Sequence, residues 1–401
     1  MNIRFIPKRI ASYIKLLTHI LLIFLLKILK FYTKSKLKDK TLVLVRLDAI
    51  GDFILWLQSA KYYRKIYPGY KIILFCNQNY QELANNCNLF DKVYTLDTDI
   101  LNKISFKYNI IKRLKYLYNI NNDYHEVLIC DMHSRALLTS ETISFLLHAK
   151  TKITLKGDYA NINKRQQIIT NNIYDKIIYT KNEIFEINKN FDFIKQISNY
   201  KIEPIFEPID NLFNINFKNK FEKPYITINL GASTNKRVWP IAKFAELINH
   251  WPNIEEYQVI LIGIDSEIDL AKAFISSMKH NNTINLIGKL SLLDVLEIIK
   301  FTTVFIGNES SCSHIAAALN TKSVTILGGG HFGRFMPYKI KNIASNYNLP
   351  IVIYKQMECF NCNWHCIYPL DNNTTWKCIN QVDVNDVLTI ITKNNITLKK
   401  D

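Results

Sequence analysis

The sequence predicts an α/β protein of two doubly wound halves, and three observations carry that prediction. Short apolar runs rich in β-branched residues alternate with helical patterns along most of the 401 residues. The alternation restarts after a polar, Asn- and Lys-rich stretch at about 161–221, and small polar turns follow several of the apolar runs. Continuous apolar strands belong to parallel sheets covered by helices, and ligands in such sheets bind beyond the carboxyl ends of the strands.

The elements follow in order. Residues 41–46 read as a buried strand, and a helix follows through Trp56 to Ile66 until Pro68-Gly69 ends it. Strands are expected at 71–75, 92–96 and 126–131, with a helix at 110–118. The second series has strands at 225–230, 258–263, 303–307 and 323–327. Its helices are expected at 241–250, 267–278, 291–300 and 313–319. These runs divide the chain into 1–40, a first Rossmann-like domain over 41–210 and a second over 222–390.

The composition, 48% hydrophobic and 21% charged, is that of a globular protein with substantial cores. The net charge of +17 is uneven, because residues 1–40 hold ten Lys/Arg against the single acid Asp39. Ile10 to Tyr32 reads as a helix, but its longest stretch free of Lys and Arg, Leu16 to Leu26, spans only eleven residues. A membrane-spanning helix needs about 20 apolar residues. Lys8, Ser12, Lys15, His19, Lys27, Lys30 and Lys34 fall on one broad face, so an in-plane helix held by an anionic membrane surface is expected. That places the protein peripherally, on the cytoplasmic side of the inner membrane. No small-x-small cleavage site follows to make the segment a secretory signal. The same basic face suits nucleic acid, but its apolar opposite side argues for lipid, and no aromatic–basic spacing elsewhere marks a nucleic-acid surface.

Three strand-to-helix turns carry chemistry. The first is Asp48-Ala49-Ile50-Gly51-Asp52, where Asp52 stands at a helix start. By itself Asp52 reads first as a helix cap, with a general base as the alternative. The second, Leu230 to Pro240, combines the hydroxyls of Ser233 and Thr234 with Lys236 and Arg237 and puts Pro240 at a helix start. It reads equally as a diphosphate cradle or a solvated loop. The third runs Gly307-Asn308-Glu309-Ser310-Ser311-Cys312-Ser313-His314, again from strand into helix. Free amides at that helix start suit a phosphate, although Glu309 also reads as a cap and His314 as a satisfied buried histidine.

Together the turns resemble the lipopolysaccharide heptosyltransferase family, glycosyltransferase family 9, which has the GT-B fold. Three segments carry the resemblance: Val45 to Asp52, Asn229 to Pro240, and Asn285 to Ser291 running on to His314-Ile-Ala-Ala-Ala318. It implies two Rossmann-like domains facing a cleft and an inverting transfer of a heptose or related sugar. The donor would be a nucleoside diphosphate sugar and the acceptor a lipopolysaccharide-core or other lipid-linked glycan. It further implies Asp52 as the catalytic base. Arg237, with Lys236 beside it, would meet the donor phosphates, and Ser233 and Thr234 the diphosphate. Glu267, in preference to Asp265, would take the donor ribose. The family's Asp-[Ser/Thr]-Gly-x-x-His motif becomes Glu309-Ser310-Ser311-Cys312-Ser313-His314 here. Glu309 adds a methylene and Ser311 a side chain where the backbone approaches the donor, so a donor other than ADP-heptose is plausible. No cofactor is expected for catalysis, since cations at the phosphates replace a metal and no Asp-x-Asp pair marks the donor-side turns.

Cys359-x2-Cys362-x3-Cys366-x11-Cys378 has the spacing of a four-thiolate structural zinc site, with His365 as a substitute ligand and free thiols as the alternative. Asp131 to Arg135 ends a first-half strand and reads either as an acceptor-facing segment or as helix capping by Asp131 or Ser134. Two rival functions share the fold class: a nicotinamide-dependent oxidoreductase, disfavoured by the missing Gly-x-Gly-x-x-Gly, and a non-catalytic nucleotide-sugar-binding protein at the membrane surface.

Overall fold

The computed structural model describes residues 8–102, 109–120, 122–180, 185–369 and 375–394. Its side chains are described from residue 20 onward, apart from 102, 109 and 110. By internal contacts the chain forms two compact units. The first holds 1–49, 61–181 and 193–201, and the second holds 50–60, 182–192 and 202–401.

The first half of the chain begins with α1 (Lys8–Thr33), β1 (Leu37–Arg46), α2 (Ile50–Ala60), α3 (Tyr63–Ile66), β2 (Lys71–Asn77), α4 (Gln81–Asn85) and β3 (Lys92–Leu96). Then come α5 (Thr98–Asn102), α6 (Asn109–Tyr118), β4 (Tyr124–Cys130), α7 (Thr142–Leu146), β5 (His148–Leu155), α8 (Lys164–Asn171), β6 (Lys176–Ile178) and α9 (Glu186–Ile197). The described strands form a parallel six-stranded sheet in the order β3-β2-β1-β4-β5-β6. Its core is made by Val43, Val45, Ile73, Phe75, Leu128 and Cys130 from the central strands, covered by Leu117, Ile143 and Leu146. β1 starts earlier than expected because Leu37 and Lys38 pair with Tyr124 and His125 before a register shift, at which Lys40 takes φ 49°. The single helix expected to end at Ile66 is two helices, broken after Ala60. The stretch from 161 to 221 contains more structure than its weak periodicity shows: Asn163 and Gln166 form a reciprocal capping box that starts α8.

β5 escaped the sequence reading because Lys150 and Lys152 interrupt its apolar run. In the fold Lys152 is buried, and its Nζ donates to the carbonyls of Ser144 (2.6 Å) and Leu147 (2.8 Å) at the end of α7. α1 repeats the device. Lys27 Nζ donates to Leu146 O and Leu147 O, both at 3.2 Å, and Lys30 Nζ to Tyr118 O (3.2 Å) and Ile120 O (2.6 Å) at the end of α6. The last carbonyls of a helix lack intrahelical partners, and a lysine can bury its stem while satisfying them. The expected all-cationic lipid face of α1 is corrected accordingly: Lys27 and Lys30 point into the first unit, beside Ile23 and Leu26 of its core. Burial first, then the charges of Lys152, Lys34 and Lys30, pushes Lys27 down to about 6. The positions of Lys8, Ser12, Lys15 and His19 on that face lie outside the described side chains.

The second half contributes β7 (Tyr225–Asn229), α10 (Ile241–Asn249), β8 (Gln258–Ile262), α11 (Ile268–Ser276), β9 (Thr283–Asn285), α12 (Leu292–Phe301), β10 (Val304–Asn308), α13 (Ser311–Ala318) and β11 (Ser323–Ile326). It ends with β12 (Ile351–Ile353), α14 (Lys377–Asn380) and α15 (Val384–Lys393). Its described strands form a second parallel six-stranded sheet, ordered β12-β11-β10-β7-β8-β9. Both sheets therefore share one doubly wound pattern, in which the strand order reverses between β1 and β4 and between β7 and β10. Those are the positions where such sheets bind ligands. α2 belongs by contacts to this second unit and packs on α13, with Leu55 and Ala317 in a cluster with Phe185, Phe206, Met336 and Tyr338.

Candidate active site

The site forms at the carboxyl ends of β7 and β10. β7 ends in Asn229 and β10 in Asn308, adjacent strands within the second sheet. An amide at the end of an apolar strand must find partners when buried, and each does. Asn308 Oδ1 accepts from Trp239 N (2.9 Å), while its Nδ2 donates to Leu230 O (2.8 Å) and Gly231 O (3.2 Å). Asn229 Oδ1 accepts from the Ser310 hydroxyl at 2.9 Å. These amides tie the loop after β7 to the turn after β10. They were not singled out from the sequence, although a terminal Asn on each of two central strands was the readable signal.

On this frame the structure brings together several expected residues. Arg237 Nη1 donates to Ser233 Oγ at 2.7 Å, and Nη2 pairs with Glu309 Oε2 at 3.1 Å. Its guanidinium lies 4.1 Å from the centroid of the Trp364 ring, an aromatic that the sequence reading passed over. Glu309 is buried, and desolvation outweighs the nearby Arg237 charge, so its carboxyl sits above the ordinary value. Lys236 turns elsewhere, with Nζ 5.2 Å from the Trp376 ring centroid. Ser233 and Thr234 are exposed. Ser310 occupies the N-cap position of α13 but makes no side-chain cap, its hydroxyl being spent on Asn229. The amides of the first turn, from Ser311 on, are thus left without a side-chain acceptor from the cap.

Glu267 lies in a cradle of glycine backbone. A Cβ added at Gly231 or Gly263 would overlap its carboxylate, and its buried Oε2 has no hydrogen-bond partner among the described residues. Burial raises its pKa. The neighbouring Asp265 instead approaches Gly288.

His314 is buried, with Nδ1 2.8 Å from the Tyr338 hydroxyl and the two rings stacked at an interplanar angle of 12°. A Cβ at Gly51 would come within 3.1 Å of His314 Cδ2, so glycine there lets the start of α2 approach α13 closely. Asp52 lies in that same first turn of α2. Burial, then the charge of Arg237, pushes His314 from 6.5 down to about 4. Between pH 6.5 and about 4 the unfolded chain holds the His314 proton and the native state does not, so stability falls as pH drops through that window. One such group contributes about 3 kcal/mol over the window. Melting temperatures taken from pH 7 downward should fall more steeply for the unsubstituted chain than for His314→Gln. Glu309, whose pKa is raised, acts in the opposite direction in both proteins and does not blur the difference.

The four clustered cysteines Cys359, Cys362, Cys366 and Cys378 line one small cavity with Trp364, Tyr368 and Trp376. Gly329 and Gly330 make room for this loop, since a Cβ on either would overlap the Phe360 or Trp364 ring. Cys378 Sγ accepts from Gly329 N at 3.4 Å. Burial first, and then the other thiols, raise Cys359 and Cys378. Among the described residues no three side chains stand at metal-binding separation, so the thiols share a cavity without forming a coordination sphere. His365 is not among the cavity's lining residues.

In the first unit, Asp131 directly follows β4. It accepts from the Tyr63 hydroxyl at 2.7 Å and lies 3.7 Å from Arg46, and Arg135 is buried against Glu141 at 2.8 Å. These contacts lie just beyond the end of β4.

Two Rossmann-like units in one chain, with polar turns gathered at the switch point of the second sheet, define a GT-B protein. Residues 129–365 match the model of glycosyltransferase family 9 (heptosyltransferase), and the chain belongs to that family. It is a glycosyltransferase. The match includes Arg237, Glu267, Glu309 and His314, whereas Asp52 lies before it. A lipopolysaccharide heptosyltransferase 1 of Campylobacter coli is 26% identical over 299 residues, 72% of this chain and 83% of its own length. The crystal structure of a family 9 glycosyltransferase from Veillonella parvula is similar with a TM-score of 0.63 at 14% identity, covering 90% of this chain and 98% of that one. The E. coli heptosyltransferase WaaC with ADP-2-deoxy-2-fluoro heptose gives a TM-score of 0.66 at 14% identity over 88% of this chain and 99% of that one.

Proposed function

We propose that this glycosyltransferase moves a heptose or related sugar from a nucleoside diphosphate donor to a lipopolysaccharide-core or other lipid-linked glycan, on the cytoplasmic side of the inner membrane. The observation that carries the reading is the placement of Arg237 beside Ser233, in the same switch-point turns as the uncapped start of α13. A guanidinium fork and helix-start amides are the groups that hold a diphosphate. The Glu267 carboxylate, with its buried Oε2 unpartnered among the described residues in the glycine cradle, supports a role in accepting hydrogen bonds from a ribose, and the ADP sugar held by the similar WaaC supports such a donor.

The reaction is a single displacement. Asp52 takes the proton of the acceptor hydroxyl, whose oxygen bonds to the anomeric carbon from the face opposite the phosphate. The bond to the phosphate oxygen breaks, and its electron pair leaves on the nucleoside diphosphate, so the configuration inverts. Arg237, Lys236, Ser233, Thr234 and the amides from Ser310 to His314 stabilise that departing charge, and this charge stabilisation is typically the largest part of such catalysis. Glu309 holds Arg237 until donor phosphate competes for it.

Thermal stabilisation by ADP, UDP, GDP and CDP tests donor binding, since a ligand of the native state raises the melting temperature. One nucleotide should stabilise the protein well above the others. No stabilisation by any of them would overturn the reading. The anomeric configuration of the product, read by NMR, checks inversion.

A further inference from the structure

Over its described side chains, from residue 20 on, α1 places lysines and apolar groups opposite to the usual arrangement of a surface helix. Lys27 and Lys30 are consumed inside the first unit as caps for α7 and α6. The outward face carries Ile20, Leu21, Phe24, Leu25, Ile28 and Leu29, with Leu21 59% and Phe24 54% exposed. Phe31 and Tyr32 continue it. A run of large apolar side chains this long on open surface marks an interaction site. α6, packed beside α1, adds the exposed Ile111 and Tyr118 with Lys112 and Lys115 between them. No described helix is long and apolar enough to cross a membrane.

Charge selects the occupant. Lys36 and Lys40 are exposed just beyond the apolar run, and Lys34 lies 4.0 Å from the Phe31 ring centroid. A dimer built on this face would bring the exposed Lys36 and Lys40, with Lys34 beside them, of two copies together, like charge against like charge. A bilayer with anionic headgroups supplies both an apolar phase and the opposite charge.

We propose that the outward face of α1 inserts into the interfacial layer of an anionic bilayer, with the apolar side chains as the main source of affinity and Lys34, Lys36 and Lys40 at the headgroups. Lys27 and Lys30 stay inside and join the helix to the first unit, so that the anchor and the fold move as one. This is independent of the reaction catalysed.

Flotation of the full chain with vesicles tests it. Binding is expected to phosphatidylcholine vesicles containing phosphatidylglycerol and to survive, reduced, at about 1 M salt, where the screening length is about 3 Å. The exposed quadruple variant Leu21→Ser/Phe24→Ser/Leu25→Ser/Leu29→Ser should lose about a hundredfold or more of vesicle partitioning, from four apolar side chains withheld from lipid. The milder pair Leu25→Ser/Leu29→Ser should lose about tenfold and covers the case in which the quadruple variant does not fold. Lys36→Gln/Lys40→Gln should lose only a few-fold. Unchanged partitioning of both serine variants overturns the proposal. So does complete release at high salt, which makes the contact purely electrostatic. A lipid-free dimer that the serine substitutions convert to monomer assigns the face to a second copy and also overturns it.

Discussion

Asp52→Ala should lower turnover by about 10²- to 10⁴-fold, the typical contribution of a general base, while nucleoside diphosphate binding stays unchanged. The reason lies in the first turn of α2. Gly51 lets that turn approach His314 on α13, and Asp52 follows it directly. A carboxylate whose only role was to support the helix start would behave differently. Its loss would cost about 0.5–2 kcal/mol of stability and leave the reaction intact. Single-turnover rates and calorimetric titration with the nucleotide separate the two. Asp52→Asn sharpens the comparison, because it keeps a hydrogen-bonding side chain and removes the base. Full turnover in either variant would exclude Asp52 as the base.

Arg237→Ala should weaken nucleoside diphosphate binding by about tenfold to a hundredfold, the worth of one or two hydrogen bonds to a charged group. It should also destabilise the protein, because Glu309 would remain in the interior without its partner. The pair is well shielded, with side chains 17% and 6% exposed for Arg237 and Glu309. Removing one partner of a buried pair costs about 3–5 kcal/mol when the survivor stays charged. Glu309 can escape part of this by taking up a proton, since its pKa is already raised. In the variant the folded state then holds that proton at a pH where the unfolded chain has released it. Stability is retained at acid pH and lost as pH rises through the folded pKa. The deficit should therefore be larger at pH 8 than at pH 5. Arg237→Ala/Glu309→Gln should recover most of the stability and none of the nucleotide affinity. Equal deficits at both pH values would show that the carboxylate is not what the arginine stabilises. Arg237→Lys keeps the charge but loses the fork that reaches Ser233 and Glu309 and the stacking on Trp364, so it should bind nucleotide poorly as well.

The pair also gives a reason for Glu309 at a place where the family motif has Asp. With one more methylene the carboxylate reaches Arg237 across the gap between the turns after β7 and β10. On the proposed reading a donor phosphate displaces that contact, which would couple donor binding to the release of a buried carboxylate. Trp364, brought in by the cysteine loop, stacks on the same guanidinium, so the state of that loop bears on how firmly Arg237 is held.

Much of the fold was legible because its signals are local. An apolar run such as Leu42 to Val45, followed by a Gly-Asp turn and a helical pattern, has one comfortable structure, and the doubly wound order follows from repeating it. The turns after β1, β7 and β10 were readable for the same reason, as were Asp52, Arg237, Glu309 and His314 as residues to watch. β5 was not, because Lys150 and Lys152 break its run, and the carbonyls that make a buried Lys152 tolerable lie at the end of a separate helix.

By itself, then, the sequence determined the two-sheet architecture, the family motifs and the residues offered to the chemistry, since these depend on neighbours within a few positions along the chain. Only the tertiary structure decided which way those residues turn. It paired Arg237 with Glu309 and Trp364, sent Lys236 to Trp376, set the Glu267 carboxylate against two glycines, and turned Lys27 and Lys30 of α1 inward so that its apolar face is outside. For Arg237 and for the two lysines the physical reason is the same. A buried charge or hydroxyl takes its direction from the partner that satisfies it, and those partners lie 72 positions from Arg237 and 88 or more from the anchoring lysines.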